Sequence, residues 1–355
     1  MQARLLNKLS SNSQPKRSHF SKSCDRFCLY TGATALGSVY PAVRALFGDF
    51  MQLDVIEEIA PGTVEANVGH TPLLRLRLFN SDLPTGVEIF AKAEHLNPGG
   101  SVKDRAALSM ILEGERTGRL KPGMTIIDAT SGNTGIAYAM IGASRGYRVK
   151  VCLPKNAGAQ RKRIMRGYGV EIIETVQMLS TDGAQRIARE TFEAEPDKYF
   201  YPDQYNNEAN WLAHYETTAN EIWDQTDGRV THFATGLGTS GTFVGVVRRL
   251  RELNPSLKAF AVQPESPMHG LEGLKHMASA RKPGIFDASL VSETLEVATE
   301  DALLMTGKLA REEGLLVGPS SGANVFAARR LAASLQKPGV VVTVLCDGGE
   351  RYLEG

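Results

Sequence analysis

The chain has 355 residues, of which 42% are hydrophobic and 22% charged, and its formal net charge is +1. This near-neutral charge is not that of a protein that binds nucleic acid or an anionic membrane surface by electrostatic attraction. No apolar run has the length of a transmembrane helix. Length and composition are those of a globular protein with one large or two smaller domains.

The first fifty residues differ in composition from the rest. Residues 1–23 contain five basic side chains, no acidic ones and several serines, which is typical of a disordered tail or an organelle transit peptide. Met51, which begins an acidic segment, is an alternative translation start. We expect residues 1–50 to be an N-terminal extension. The protein is predicted to be cytoplasmic. If the extension is a transit peptide, the alternative is a mitochondrial or plastid location.

Four cysteines are spread along the chain. Cys152 and Cys346 lie in apolar, strand-like runs, whereas Cys24 and Cys28 lie in the polar N-terminal segment. This distribution does not favour a disulfide framework. No second pair of cysteines or histidines stands at zinc-finger spacing from Cys24 and Cys28, so no bound metal is expected.

Short apolar runs alternate with helix-length segments from residue 87 onward. This alternation predicts an α/β fold with largely parallel sheets. The number of strand and helix units is large for one sheet, so we expect two subdomains with a crevice between them. The predicted strands are 87–94, 124–130, 147–154, 170–175, 229–235, 257–264 and 339–347, and the clearest helices are 104–118, 134–146, 242–253 and 323–335.

Four turns rich in Gly, Ser, Thr and Asn stand directly before predicted helices. Glycines allow backbone N–H groups to approach a ligand, and helix N termini attract anions. In open α/β sheets ligands bind at the carboxyl ends of strands, where three of these turns fall. Together the turns favour one shared polyanionic ligand, although no Walker motif or complete dinucleotide fingerprint is present. They span residues 99–105, 129–135, 236–242 and 318–324.

The same turns carry a family resemblance. "NPGGSVKDRAALSMI", "TSGNTGIAYAM", "GLGTSGTFVGV" and "GPSSGAN", in this order, resemble the cysteine synthase and cystathionine β-synthase family of pyridoxal-phosphate (PLP) enzymes, and the similarity begins near residue 69. The resemblance implies fold type II, related to the β subunit of tryptophan synthase. In that fold two three-layer αβα subdomains with mostly parallel sheets hold PLP in the crevice between them. It predicts a larger, PLP-binding subdomain of residues 51–96 plus 208–355 and a smaller, mobile subdomain of residues 97–207.

Lys103 stands at the predicted start of a helix, an unusual place for a cation because the helix N terminus is positive. By resemblance, Lys103 is the catalytic lysine that binds PLP as a Schiff base and moves the substrate's α-proton, and both tasks need an uncharged amine. Ser101 is predicted to be the N-cap of this helix, with Asp104 completing a capping box.

The resemblance assigns the other turns to cofactor and substrate. Asn133 would bind the 3′-oxygen of PLP, and Ser320, rather than its neighbour Ser321, would face the ring nitrogen with an uncharged hydroxyl. The cofactor phosphate would bind to Gly238, Thr239, Ser240, Gly241 and Thr242, although the family commonly has glycine where Ser240 stands. The substrate carboxylate would bind to Thr130, Ser131, Gly132, Thr134 and Gln204.

The resemblance implies β-replacement on an O-activated L-serine. The leading hypothesis is a cysteine synthase that converts O-acetylserine and sulfide to L-cysteine and acetate. Alternatives are cystathionine β-synthase, which uses serine and homocysteine, an O-phosphoserine sulfhydrylase, and a non-catalytic PLP-fold binding protein. An arginine for a substrate phosphate is missing between Glu265 and Arg281, although Lys275 could replace it. The expected partners are small molecules and a second copy of the chain in a homodimer, with neither nucleic acid nor membrane.

Two further features have simple structural interpretations. The basic segment 161–169 is predicted to be the solvated face of a helix. His214 is predicted to be a structural histidine, because Lys103 already supplies the catalytic base.

Overall fold

The computed structural model of the protein describes residues 59–176 and 180–353. The predictions made for residues 1–50, including the extension and its targeting role, and for Cys24 and Cys28 lie outside the described residues. None of the helices in the described ranges combines the length and apolarity needed to cross a bilayer.

The described residues form two sheets. The larger has the strand order β1-β2-β10-β7-β8-β9 and the smaller β5-β4-β3-β6. All neighbours are parallel except β1 and β2. The strands are Leu73–Arg75 (β1), Val87–Lys92 (β2), Thr125–Ala129 (β3), Arg148–Pro154 (β4), Glu171–Thr175 (β5), Tyr199–Phe200 (β6), Val230–Gly236 (β7), Lys258–Pro264 (β8), Glu293–Val297 (β9) and Gly339–Val344 (β10).

A parallel pairing requires a long crossover connection, and helices form most of these connections. The exception is the segment between β8 and β9, which contains the 3₁₀ helix Ala288–Leu290 but no α-helix. A π-helix, His214–Thr218, joins α5 to α6, and a 3₁₀ helix, Gly349–Tyr352, follows β10. The α-helices are Lys103–Arg116 (α1), Asn133–Arg145 (α2), Ala159–Gly167 (α3), Ser180–Ala194 (α4), Glu208–Ala213 (α5), Ala219–Gln225 (α6), Gly241–Leu253 (α7), Thr299–Glu312 (α8) and Pro319–Ser334 (α9).

Each sheet is covered by helices on both faces. Successive residues of a strand point to opposite faces, and in β3 Ile126 packs in the apolar cluster of α1 and α2, whereas Ile127 packs with Ala184 and Ala188 of α4. The larger sheet likewise packs on α8 and α9 through Val341 and on α7 through neighbouring residues of the same strand. Strands buried on both faces explain the continuous apolar runs in the sequence.

The predicted α/β fold with mostly parallel sheets is confirmed, and all seven predicted strands are present. Strands β1, β6 and β9 were not predicted. Two of these have three residues or fewer, and β9, a mostly exposed edge strand, carries two glutamates among its five residues, so none of them contains a long apolar run. The subdomain boundaries and the mobility of the smaller subdomain stay predictions.

Candidate active site

The segment that leads to Lys103 is joined to the segment that follows β10. Strands β2 and β10 are parallel neighbours, so their carboxyl ends lie at the same edge of the sheet. Beyond that edge the Val102 N–H donates to the Cys346 carbonyl at 2.8 Å, and Ser101 forms an isolated bridge with Asp347. The backbone around Lys103 is therefore held by the end of the larger sheet.

Lys103 is the first residue of α1 and is half-buried. The predicted capping box is wrong in its details, because the N-cap residue is Val102 and not Ser101. The Ser101 hydroxyl accepts from the N–H of Lys103 at 3.3 Å, and the Asp104 carboxylate accepts from the N–H of Gly99 at 2.5 Å. The two side chains thus stabilise the turn before the helix. The helix itself starts one residue later than predicted, after the tight glycine turn.

A buried group of charges holds the first turn of α1. Arg105 contacts Glu94 at 2.7 Å and Glu221 at 2.6 Å, and Lys92 contacts Glu221 at 2.6 Å. Burial would raise the pKa of Glu221, but the hydrogen bond and charge of Arg105 and the charge of Lys92 outweigh it and lower this pKa to about 2. This cluster was not predicted from the sequence. The lysine that ends the apolar strand β2 was the available signal.

Residues 238–242, which were predicted to bind the cofactor phosphate and are called the phosphate loop here, follow β7 and include the first two residues of α7. Ser240 has φ of 75°, in the left-handed region that favours glycine. It is 3% exposed, and its hydroxyl has no hydrogen-bond partner among the described residues. A Cβ on Gly238 would collide with the carbonyl of Gly273. The loop therefore combines a close backbone approach with a buried, unused hydroxyl.

Side chains from α5 and the π-helix support the phosphate loop. Asn210 donates to the Thr239 hydroxyl at 3.0 Å, and His214 Nε2 lies 3.2 Å from the Thr242 hydroxyl. The other ring nitrogen of His214 lies 2.9 Å from Thr218 Oγ1. Burial lowers the pKa of His214 to about 3, so the ring is neutral near pH 7. These contacts agree with the predicted structural role of His214.

The β3–α2 turn and Gln204 meet at the smaller sheet. Gln204 is 2% exposed, donates to the Ala129 carbonyl at 2.5 Å and accepts from the Thr134 hydroxyl at 2.9 Å. Thr130 is buried, and its hydroxyl accepts from the N–H groups of Gly132 and Gly135 within the turn. Of the five predicted substrate residues, Ser131, Thr134 and Gln204 line the cleft described below.

Asn133 opens α2 and is held from the other sheet. Its amide nitrogen donates to Asp347 at 2.7 Å, and its amide oxygen accepts from Arg351 at 2.6 Å. Asp347 and Arg351 were not among the predicted site residues. The charged residues in "CDGGERYLEG" were the available signal, but nothing in the local pattern indicates that they reach Asn133.

Ser320 and Ser321 lie in the first turn of α9 and have different surroundings. The Ser321 hydroxyl accepts from the backbone N–H of Cys346 at 2.8 Å, so it is used within the protein. Ser320 lines the cavity that also contacts Lys103, Asn133 and the phosphate loop. Burial raises the pKa of the Cys346 thiol to about 11, and Ser320 forms a hydrogen bond with that thiol. The predicted preference for Ser320 over Ser321 agrees with this geometry.

The prediction for residues 161–169 is wrong for two of its side chains. Arg161 and Lys162 of α3 are buried rather than solvated. Arg161 forms an ion pair with Glu272 and lies 4.5 Å from the ring centroid of Tyr352. Neighbours from distant parts of the chain cover this side of α3, and local charge patterning does not reveal them.

These residues surround one cleft of about 530 Å³. Lys103, Asn133, the phosphate loop and Gln204 all contribute to it. Its other wall is formed mainly by residues 267–280, which include Glu272 and Lys275. Lys275 Nζ lies 3.2 Å from the Asp182 carboxylate. Three of the four turns singled out in the sequence line this cleft. All four meet at a smaller cavity that shares Lys103, Asn133, Gly238 and Thr239 with the cleft and is also lined by Ser320.

The profile of the protein family described as "pyridoxal-phosphate dependent enzyme" matches residues 64–347. The chain belongs to this family. The cysteine synthase of Aquifex aeolicus is 50% identical over 295 residues, which cover 82% of this chain and 90% of that protein. The chain is thus a PLP-dependent enzyme of the cysteine synthase family, as the resemblance predicted.

Solved structures of this family have the same fold. Cysteine synthase from Entamoeba histolytica matches with a TM-score of 0.78 and 35% identity, over 84% of this chain and 90% of that one. The O-acetylserine dependent cystathionine β-synthase from Helicobacter pylori matches with a TM-score of 0.79 and 34% identity, over 84% and 99%.

The cleft of this PLP-dependent enzyme fits its cofactor. A phosphate needs N–H and O–H donors, and the phosphate loop offers the start of α7 and the unpartnered, buried hydroxyl of Ser240. Lys103 lines the same cavity as this loop and as Ser320. An amine, a phosphate-binding turn and a neutral hydroxyl in one cavity match the aldehyde, the phosphate and the ring nitrogen of PLP.

Proposed function

We propose that the protein is a cysteine synthase, which converts O-acetylserine and sulfide to L-cysteine and acetate. The observation that carries this proposal is the placement of Lys103, the phosphate loop and Ser320 around a single cavity. The named relative in Aquifex aeolicus and the matching Entamoeba histolytica structure, both cysteine synthases, support the same reaction.

Each end of the cofactor has a group in this chain that would hold it. Lys103 would bind the aldehyde, the N–H and hydroxyl groups of the phosphate loop would bind the phosphate, and Ser320 would face the ring nitrogen. When bound, PLP supplies an electron sink that stabilises the negative charge left when an amino acid loses its α-proton. Ser320 would place an uncharged hydroxyl, and not a negatively charged carboxylate, beside the ring nitrogen.

Lys103 also moves the proton. Its amine takes the α-proton from the substrate as acetate leaves the β-carbon, and it returns the proton after sulfide adds there. Both tasks require a half-buried amine at the cleft wall, which is where Lys103 lies. The substrate carboxylate would bind to Ser131 and Thr134 near the start of α2, where N–H groups favour an anion. Gln204 holds Thr134 in place through a 2.9 Å hydrogen bond.

The structure bears on the choice of leaving group. Among the described residues that line the cleft, the cations other than Lys103 include Lys275 but no arginine, and Lys275 is already paired with Asp182. A phosphate leaving group is best bound by a free, bidentate arginine. This arrangement favours O-acetylserine over O-phosphoserine. Homocysteine as the second substrate is the remaining alternative, and the Helicobacter pylori neighbour is named for an O-acetylserine dependent enzyme of that type.

The test is a product assay on the purified, PLP-loaded protein. We expect cysteine from O-acetylserine plus sulfide, and much less product when serine or O-phosphoserine replaces O-acetylserine. Lys103→Ala should bind PLP without the covalent bond and form no cysteine above background. Faster formation of cystathionine from homocysteine than of cysteine from sulfide would overturn the proposal in favour of the alternative. We also propose a homodimer, which sedimentation equilibrium of the same preparation tests.

A further inference from the structure

The side-chain amide of Asn133 lies between two charged residues of the opposite subdomain. Asp347 accepts from its nitrogen at 2.7 Å, and Arg351 donates to its oxygen at 2.6 Å. Asn133 belongs to the turn after β3 of the smaller sheet, whereas Asp347 and Arg351 follow β10 of the larger one. The two contacts therefore cross the crevice next to Lys103.

The chemistry of the two partners permits only one orientation of the amide. A carboxylate only accepts hydrogen bonds and a guanidinium only donates them. A flipped amide would place its oxygen against the carboxylate and its hydrogens against the guanidinium. The amide nitrogen carries two hydrogens, and Asp347 uses one of them. Because the Asn133 side chain lines the cleft, the second N–H is the group available to a ligand there.

Both partners are themselves held in place. Asp347 is 0% exposed, and the same carboxylate oxygen accepts from the Tyr352 hydroxyl at 2.7 Å. The ring of Tyr352 is covered by the guanidinium of Arg161. Arg351 is buried and also donates to the carbonyl of Gly99, in the turn before Lys103. Arg351 thus contacts both the Lys103 turn and the Asn133 amide.

We propose that Asp347 and Arg351 are positioning residues that fix the amide of Asn133, so that it presents an N–H and never its carbonyl oxygen to the cofactor. The proposal rests on the PLP site described under the proposed function. The phenolic oxygen of PLP is a hydrogen-bond acceptor. An amide fixed with its N–H towards this oxygen always offers a donor and so strengthens PLP binding. An amide that flips freely offers a donor for only part of the time. Because Arg351 contacts both segments, the conformation of the Asn133 turn is also coupled to that of the turn that carries Lys103.

The test is a double-mutant cycle on cofactor affinity. PLP is removed from the protein, and its Kd is measured by fluorescence titration for wild type, Asp347→Ala, Asn133→Ala and the double variant. We expect Asp347→Ala, which removes the acceptor, to raise Kd about three- to tenfold, the value of one hydrogen bond, and to have no further effect when Asn133 is alanine. Equal effects of Asp347→Ala with and without the Asn133 amide would overturn the proposal, because the two residues would then act independently.

A second cycle with Arg351→Met, which removes the donor, covers the case in which Asp347→Ala does not fold. Arg351→Lys keeps a donor for the amide oxygen and should recover part of the affinity lost in Arg351→Met. Arg329→Gln removes an arginine whose partner is the exposed Asp82, and it should leave Kd unchanged.

The pH dependence of the absorbance of bound PLP should shift in the Asp347 and Arg351 variants but not in the Arg329 variant. An unchanged spectrum and Kd in both site variants would refute the positioning role. These readouts need bound cofactor but no cysteine synthesis, so a failure of the proposed reaction would be seen separately in the product assay.

Discussion

Ser240 offers a change that should stabilise the protein without cofactor while weakening cofactor binding. The residue lies in the left-handed backbone region, and its buried hydroxyl has no partner among the described residues. Ser240→Ala removes the hydroxyl and keeps the unfavourable backbone conformation. Ser240→Gly removes both. The two variants therefore separate the effect of the side chain from that of the backbone.

The magnitudes follow from these two features. A buried polar group without a partner costs about 1–3 kcal/mol, so Ser240→Ala should raise the free energy of unfolding of the cofactor-free protein by about 1 kcal/mol. A left-handed conformation costs a non-glycine residue about 1–2 kcal/mol, and the chain entropy of glycine offsets about 0.5–1 kcal/mol of that. Ser240→Gly should therefore be more stable than Ser240→Ala by about 0.5–1 kcal/mol.

Cofactor affinity should change in the opposite direction. A hydrogen bond to a charged group is worth about 1.5–3 kcal/mol, so loss of a hydroxyl that contacts the phosphate should raise the Kd for PLP about tenfold or more in both variants. Urea unfolding of the cofactor-free protein measures stability, and equilibrium dialysis measures the Kd.

Ser321→Ala is the matched control. Its hydroxyl is also buried but accepts from the N–H of Cys346, so its removal should destabilise the cofactor-free protein by about 1 kcal/mol. If Ser240→Ala destabilised the cofactor-free protein as Ser321→Ala does, the hydroxyl of Ser240 would have a partner there. If the variant left the Kd for PLP unchanged, that hydroxyl would not be the phosphate donor that we propose.

Three further predictions concern stability and the phosphate loop. Glu94→Gln should lower the free energy of unfolding by about 3 kcal/mol or more in urea unfolding, because it leaves a buried guanidinium partly unpaired, whereas the exposed Asp82→Asn should change it by less than about 1 kcal/mol. Burial lowers the pKa of His214 to about 3 in the folded protein, whereas it is about 6.5 in an unfolded chain. As the pH falls from 6.5 towards 3, the unfolded state therefore binds a proton that the folded state does not, and the free energy of unfolding decreases. His214→Gln should therefore lose about 2 kcal/mol less stability than wild type between pH 7.5 and pH 5, and equal losses in urea unfolding at the two pH values would contradict this reasoning. Gly238→Ala should weaken PLP binding at least tenfold in equilibrium dialysis, because its Cβ would displace the carbonyl of Gly273, and an unchanged Kd would show that the loop tolerates the shift.

The architecture and the main site residues could be predicted from the sequence because their signals are local. A strand buried on both faces needs a continuous apolar run, and seven such runs became strands. A loop that brings its backbone to a phosphate needs small residues just before a helix, which is what residues 238–242 show. In contrast, β6 is a two-residue strand defined by pairing with β3, so its own residues carry no comparable signal.

The three-dimensional fold alone determined which side chains contact one another across the crevice. The partners of the Asn133 amide lie 214 and 218 residues further along the chain. Arg161 also contacts residues that lie far along the chain. It was predicted to be solvated, but the fold buries it against Glu272 and Tyr352. Local pattern reports whether a segment is helical, extended or turned, since those states depend on near neighbours. A hydrogen bond between an amide and a distant carboxylate depends on how the sheets pack, and no spacing along the chain encodes it.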